Sequence, residues 1–137
     1  MKLKNILGNR DFSSQRKIRD TVKTSVNYDD ENIDIAELFY FFSTQRQRTW
    51  FVATDKKAYI ILDDVRKESV KVNRSYNIKN LYSGTKLNIK IDTSYKNKYG
   101  RIFFQSSTRG WLYSKNLYPS HQELHNKFLS IIKQAVG

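Results

Sequence analysis

From Ala36 onward the pattern of the chain changes to a period of two, that of β-strands. Ala36 to Phe42 is a dense aromatic run that predicts a buried strand. Arg48 to Thr54 sets Trp50, Val52 and Thr54 against Thr49, Phe51 and Ala53. The polar connection Asp55-Lys56-Lys57 follows, then a second β-rich run from Ala58 to Leu62 that ends at Asp63-Asp64, so the two runs predict a hairpin. Val70 and Val72 mark a further strand. Leu87, Ile89 and Ile91 alternate with Lys86, Asn88, Lys90 and Asp92, giving one buried and one wet face. Tyr95 to Gly100 reads as a turn. Arg101 to Gln105 and Gly110 to Ser114 are the last two strands, joined by Ser-Ser-Thr-Arg. Six to seven short strands at this spacing predict a mainly β chain, an antiparallel barrel or sandwich.

The two ends of the sequence follow a different period. Leu124, Phe128, Ile131, Ile132 and Ala135 fall on one side of a helix. Ser120 and Glu123 have capping-box spacing, with Pro119 just before. The apolar stripe needs a surface to cover, and closing the open end of a small barrel supplies one. Near the N-terminus, Ile18, Val22 and Val26 recur every fourth residue, which permits a short helix after Ser13 or Ser14. Such a helix either docks on the body or stays mobile. Two segments are therefore expected: a basic N-terminal segment with an acidic linker over 1–33, and a β-rich domain with its C-terminal helix over 34–137.

Composition narrows the range of functions. The 137 residues suffice for one compact domain, and nine tyrosines, eight phenylalanines and two tryptophans can fill its core. Cysteine is absent, which excludes disulfides, thiolate metal sites and a cysteine nucleophile. Twenty-five basic residues against thirteen acidic give a net charge of +12. Five acids and no base lie in Asp29 to Glu37, a stretch that either pairs with the basic face or forms a solvated linker. The excess charge points to a polyanionic partner: an acidic protein, nucleic acid or an anionic membrane surface. Met1 to Gly8 lacks the apolar core of a secretory leader, and the longest apolar block, Leu38 to Phe42, is far below the ~18 residues of a membrane span. A cytoplasmic chain with no integral membrane segment is expected.

Catalytic constellations find little support. His121 and His125 share a helix face, but Gln122 stands where a metalloprotease pattern requires glutamate, and exposed polar positions explain the pair more simply. Asp63, Asp64 and Glu68 resemble an acidic metal cluster, yet Lys71 falls one place beyond the nuclease spacing and on the opposite strand face. Neither a nucleophile elbow nor a phosphate-cradling glycine loop occurs. A non-catalytic chain without metal or cofactor is expected. The candidate anion- or partner-binding residues are Arg46, Arg48, Lys71, Arg74, Arg101 and Arg109. Turn arginines lead among them, because the guanidinium fork matches phosphate and carboxylate. Tyr95, Tyr99, Trp111 and Tyr113 interleave with basic strands and could stack bases. A small barrel also needs aromatics inside, the expected use of Trp50, Phe51, Phe103 and Trp111.

About seven antiparallel strands followed by one amphipathic helix resemble the pleckstrin-homology superfold. Thr54-Asp55-Lys56-Lys57-Ala58-Tyr59-Ile60-Ile61 and Arg74-Ser75-Tyr76-Asn77-Ile78-Lys79-Asn80-Leu81 look most like its bacterial pleckstrin-homology-like members, over residues 34–136. The resemblance implies a binding module. Some eukaryotic members of that superfold hold phosphoinositides with basic residues in the first hairpin loop. Ser43 to Arg48 occupies that place here, with two arginines but without a lysine-led cluster. The expected function is an adaptor that recruits a protein through loops or a strand edge. Nucleic-acid binding is the alternative, and peripheral attachment to anionic lipid the third.

Overall fold

A computed structural model describes residues 15–22, 24, 37–67, 69–94, 97–105 and 107–137. The expectations placed on Ser13, Ser14, Val26, the acidic residues Asp29 to Asp34, Glu68, Tyr95 and Lys96 lie outside them. The order is a helix α1 (15–22), strands β1 (Phe39–Ser43), β2 (Gln47–Ala53), β3 (Lys57–Asp64) and β4 (Ser69–Asn77), and a single helical turn α2 (Ile78–Leu81). Then come β5 (Ile89–Asp92), β6 (Tyr99–Phe104), β7 (Trp111–Ser114) and a long helix α3 (His121–Val136).

The strands form two antiparallel sheets, β1-β2-β3-β4 and β5-β6-β7. Of the two expected architectures, the described residues build the open, two-sheet one and no closed barrel. The reason is visible where the sheets meet. Ser43 N–H donates to the Ser114 hydroxyl at 3.3 Å, a side-chain bond in place of a backbone ladder between β1 and β7. Strand bounds shift modestly from the expected ones. Leu87 forms only an isolated bridge to Tyr82, and β5 begins at Ile89.

Alternation along β2 and β3 sends side chains to two separate cores. Phe51, Ala53, Ala58 and Ile60 face the three-stranded sheet and α3. Trp50, Val52, Tyr59 and Ile61 face the other way, where Ile18 and Val22 of α1 cover them. The N-terminal helix therefore docks. A sheet covered on both faces explains why β2 and β3 read as almost continuous apolar runs. In β1, Tyr40 is opposite Trp50 and Phe42 opposite Thr49, so Phe41 is the extra residue of a bulge. The bulge turns Phe42 to the side that Phe39 and Phe41 already occupy, where it packs against the first core.

Phe128 organises that core. Its ring lies edge-on to Phe51 at 4.8 Å and to Phe39 at 5.1 Å, and within 6 Å of Phe41 and Phe104. One helical side chain thus touches aromatics of β1, β2 and β6, tying both sheets to α3. Leu124, Ile131 and Ile132 complete the buried stripe. The capping box is not made: Ser120 has extended N-cap backbone, but its side chain bonds no helix N–H. Exposed His121, Gln122 and Glu123 leave the first turn open to water, which serves those donors instead. Gly100 is required by packing, since a methyl group there would lie inside the Tyr113 ring. Among the described residues, no helix is long and apolar enough to cross a membrane.

Phe128→Ala is expected to destabilise the fold by about 3–5 kcal/mol, the usual cost of removing a buried phenyl ring. Urea unfolding of the variant measures it. A second prediction concerns pH. Tyr118 packs against Phe39, and burial, with smaller contributions from Tyr40, Glu123 and Glu37, pushes its phenol up to about 12. Unfolding releases the phenol to its ordinary value near 10. Its share of stability is complete below pH 10 and is lost as pH rises towards 12. Tyr118→Phe should flatten that alkaline decline. A residual slope should remain, because burial also raises Tyr59 and Tyr113.

Candidate binding surface

One local device recurs at the turns. Thr44 Oγ1 accepts the backbone N–H groups of Arg46 and Gln47, at 3.2 and 3.1 Å. Thr54 Oγ1 accepts those of Lys56 and Lys57, at 3.3 and 3.0 Å. Asp64 Oδ1 accepts those of Arg66 and Lys67, both at 3.1 Å. Ser83 accepts from Lys86, and Ser107 from Arg109. In each turn a short polar side chain substitutes for a backbone acceptor and fixes the loop. Apart from half-buried Gln47, the residues it fixes are basic and exposed. The backbone order of these loops is therefore set by uncharged or acidic turn formers, and the cations project from them.

Three of the connections converge at one end of the molecule. Val65 N–H donates to the Arg46 carbonyl at 2.8 Å, joining the β1–β2 and β3–β4 turns. The Ser43–Ser114 bond joins the first turn to the end of β7. Lys115 N–H donates to the Lys98 carbonyl at 2.9 Å, and Lys115 Nζ reaches the Thr93 carbonyl at 3.3 Å. Arg46, Arg66, Lys67, Lys98 and Lys115 are thereby gathered on one rim from four parts of the sequence. Asp64 is half-buried there and occupied by its turn.

The six sequence candidates do not form one site. Arg46 lies on this rim. Arg48 does not: it is 7% exposed, on the β2 face covered by α1, with its guanidinium 4.7 Å above the Tyr40 ring. Its registry partner Asp63 is also buried and accepts the Trp50 indole N–H at 3.3 Å. Arg48 and Asp63 thus belong to the second core, and neither arginine binding at the surface nor an acidic metal cluster uses them. Among the described residues no group of three histidine, cysteine or acidic side chains is placed to hold a metal.

Lys71 and Arg74 sit on β4, the last strand of its sheet. Ile60 faces Arg74 and Ile61 faces Val72, so Asn73 is an extra, bulged residue. Charge and a bulge on an outer strand guard it against further pairing. Arg101 and Arg109 lie apart from β4, on and beside the solvent face of the three-stranded sheet. Alternation on β6 turns Tyr99, Arg101 and Phe103 outward and Ile102 and Phe104 inward. Phe103, expected inside, instead lies over Gly110, which leaves room for its ring. Trp111 and Tyr113 turn inward, with the Trp111 indole donating to Tyr76 Oη at 3.4 Å. Asp92 pairs with Arg101 in register, and hydrogen bonds from Ser94 hold its carboxyl below the usual range, with Lys90 and Arg101 adding to the effect.

Arg66 and Lys67 were not among the sequence candidates. The available signal is the turn pattern itself, a Thr, Ser or Asp two or three residues before a base. Arg48→Ala is expected to cost about 1–3 kcal/mol of stability through the lost stacking and packing. A melting curve of the variant measures it. No protein-family model matches the chain, and the comparisons with curated proteins and with solved structures found no match.

Proposed function

We propose that the chain is a non-catalytic adaptor module of pleckstrin-homology-like type that recruits a protein partner with an acidic surface. The observation that carries this reading is the basic rim, where Arg46, Arg66, Lys67, Lys98 and Lys115 come from turns that hydrogen bonds tie together. A four-stranded and a three-stranded antiparallel sheet with a C-terminal helix supports the family likeness. The docked α1 is an addition to that plan.

Charges held on fixed turns give an acidic partner an oriented target and speed its approach. Arginine supplies paired donors for carboxylates, and lysine supplies range. The guarded edge of β4 makes strand addition the weaker route, so the loops carry the recognition.

The solvent face of the three-stranded sheet favours a second reading, single-stranded nucleic acid. Tyr99 and Phe103 flank Arg101 there, with Lys90 opposite Phe103. Base stacking on aromatics between cations is the usual mode for such a face.

The test compares a glutamate-rich peptide with a mixed-sequence single-stranded DNA. The variant combines Arg46→Glu, Arg66→Glu and Lys98→Glu. Peptide affinity should fall about tenfold or more in the variant. If DNA binds instead, loses orders of magnitude between about 50 and 200 mM salt and is untouched by the variant, the protein reading is wrong.

A further inference from the structure

At the end of the sheet away from the rim, the β2–β3 turn, α2 and the last turn of α3 surround an open concavity of about 730 Å³. Lys56, Lys57 and Lys79 line it, with Asp55 as the one acid among its described lining residues. Tyr82 and Val136 supply its apolar surface, with the nearly buried Ile78 at its floor. A smaller hollow of about 230 Å³ shares Lys79 and Tyr82 and adds Lys86. None of these residues takes part in the rim.

The parts are held firmly. Thr54 fixes the turn that presents Lys56 and Lys57. Ile78 N–H donates to the Lys56 carbonyl at 2.9 Å, which locks α2 against that turn. Tyr82 Oη donates to the Gly84 carbonyl at 3.2 Å, and Gly84 has φ +90, a conformation that favours glycine. Ile78 is anchored in the main core, whereas Val136 is 43% exposed and so can be covered by something else.

We propose that this concavity binds a small anionic amphiphile: a phosphate head between the lysines and a hydrocarbon body over Ile78, Tyr82 and Val136. The volume lies within the range of small-molecule sites, about 300–1,000 Å³. Three lysines against one aspartate supply charge complementarity for the head. Their aliphatic stems extend the apolar wall while their ammonium groups stay at the mouth. An uncharged hydrocarbon would gain only the wall, and free phosphate only the mouth, so both parts of the ligand are needed.

The experiment is amide chemical-shift mapping with dodecyl phosphate below its micellar concentration. Inorganic phosphate and an uncharged dodecyl maltoside form the other arms. Saturable shifts over Asp55 to Lys57, Asn77 to Gly84 and Val136 are expected with dodecyl phosphate, with much weaker binding in either other arm. Lys56→Glu with Lys79→Glu should lower the affinity about tenfold or more. Val136→Asn, at an exposed position, should weaken dodecyl phosphate while leaving inorganic phosphate unchanged. The rim variant Arg46→Glu should have no effect, which separates this site from the recruiting surface. Equal binding of the uncharged amphiphile, equal binding of inorganic phosphate, or shifts outside the concavity would each overturn the proposal.

Discussion

The aromatic cluster around Phe128 is the contact on which the other layers depend. Among the described residues the two sheets share no backbone ladder and need some other tie, and α3 provides it by placing one ring against Phe39, Phe41, Phe51 and Phe104. Edge-to-face geometry adds attraction beyond the area buried, because ring edges meet ring faces of opposite partial charge. With the helix docked, the β1 and β7 ends lie close enough for Ser43 to bond Ser114. That closeness in turn brings the first turn to the region of Lys98 and Lys115. The rim is thus a consequence of helix packing at a distance.

The second core has a complementary role. Docking of Ile18 and Val22 buries the opposite face of β2 and β3, including the polar group Arg48, Asp63 and Trp50. A sheet enclosed on both faces has few places for charge, so the cations collect on turns, on β4 and on the outer face of the three-stranded sheet. Turn formers of the Thr44 and Asp64 kind leave those cations on ordered backbone. Rigid presentation lowers the entropic cost of binding, which long, mobile lysine side chains on loose loops would otherwise incur.

Much of the fold was legible in the apolar run from Trp50 to Ala53, in the alternation of Ile89 to Asp92, and in the helical stripe from Leu124 to Ile132. Period and burial have the same physical origin in those segments. Packing choices were less legible. Alternation alone does not say which face of β6 meets the core, so Phe103 was expected inside. It also does not say whether a helix will cover the far side of β2, so Arg48 read as a surface arginine beside Arg46. The rim depends on a contact between strands of different sheets, Ser43 with Ser114, which no local pattern encodes. What local pattern does encode is the pairing of each turn former with the base it holds.

Amide chemical-shift mapping with a short glutamate-rich peptide tests the role proposed for the rim most directly. Saturable shifts confined to Thr44 to Gln47, Val65 to Lys67, Asn97 to Tyr99 and Lys115, weakening smoothly as salt rises, are the predicted result. Shifts centred on Tyr99 to Phe103 and Leu112, or spread evenly over the basic surface with no saturation, would contradict it.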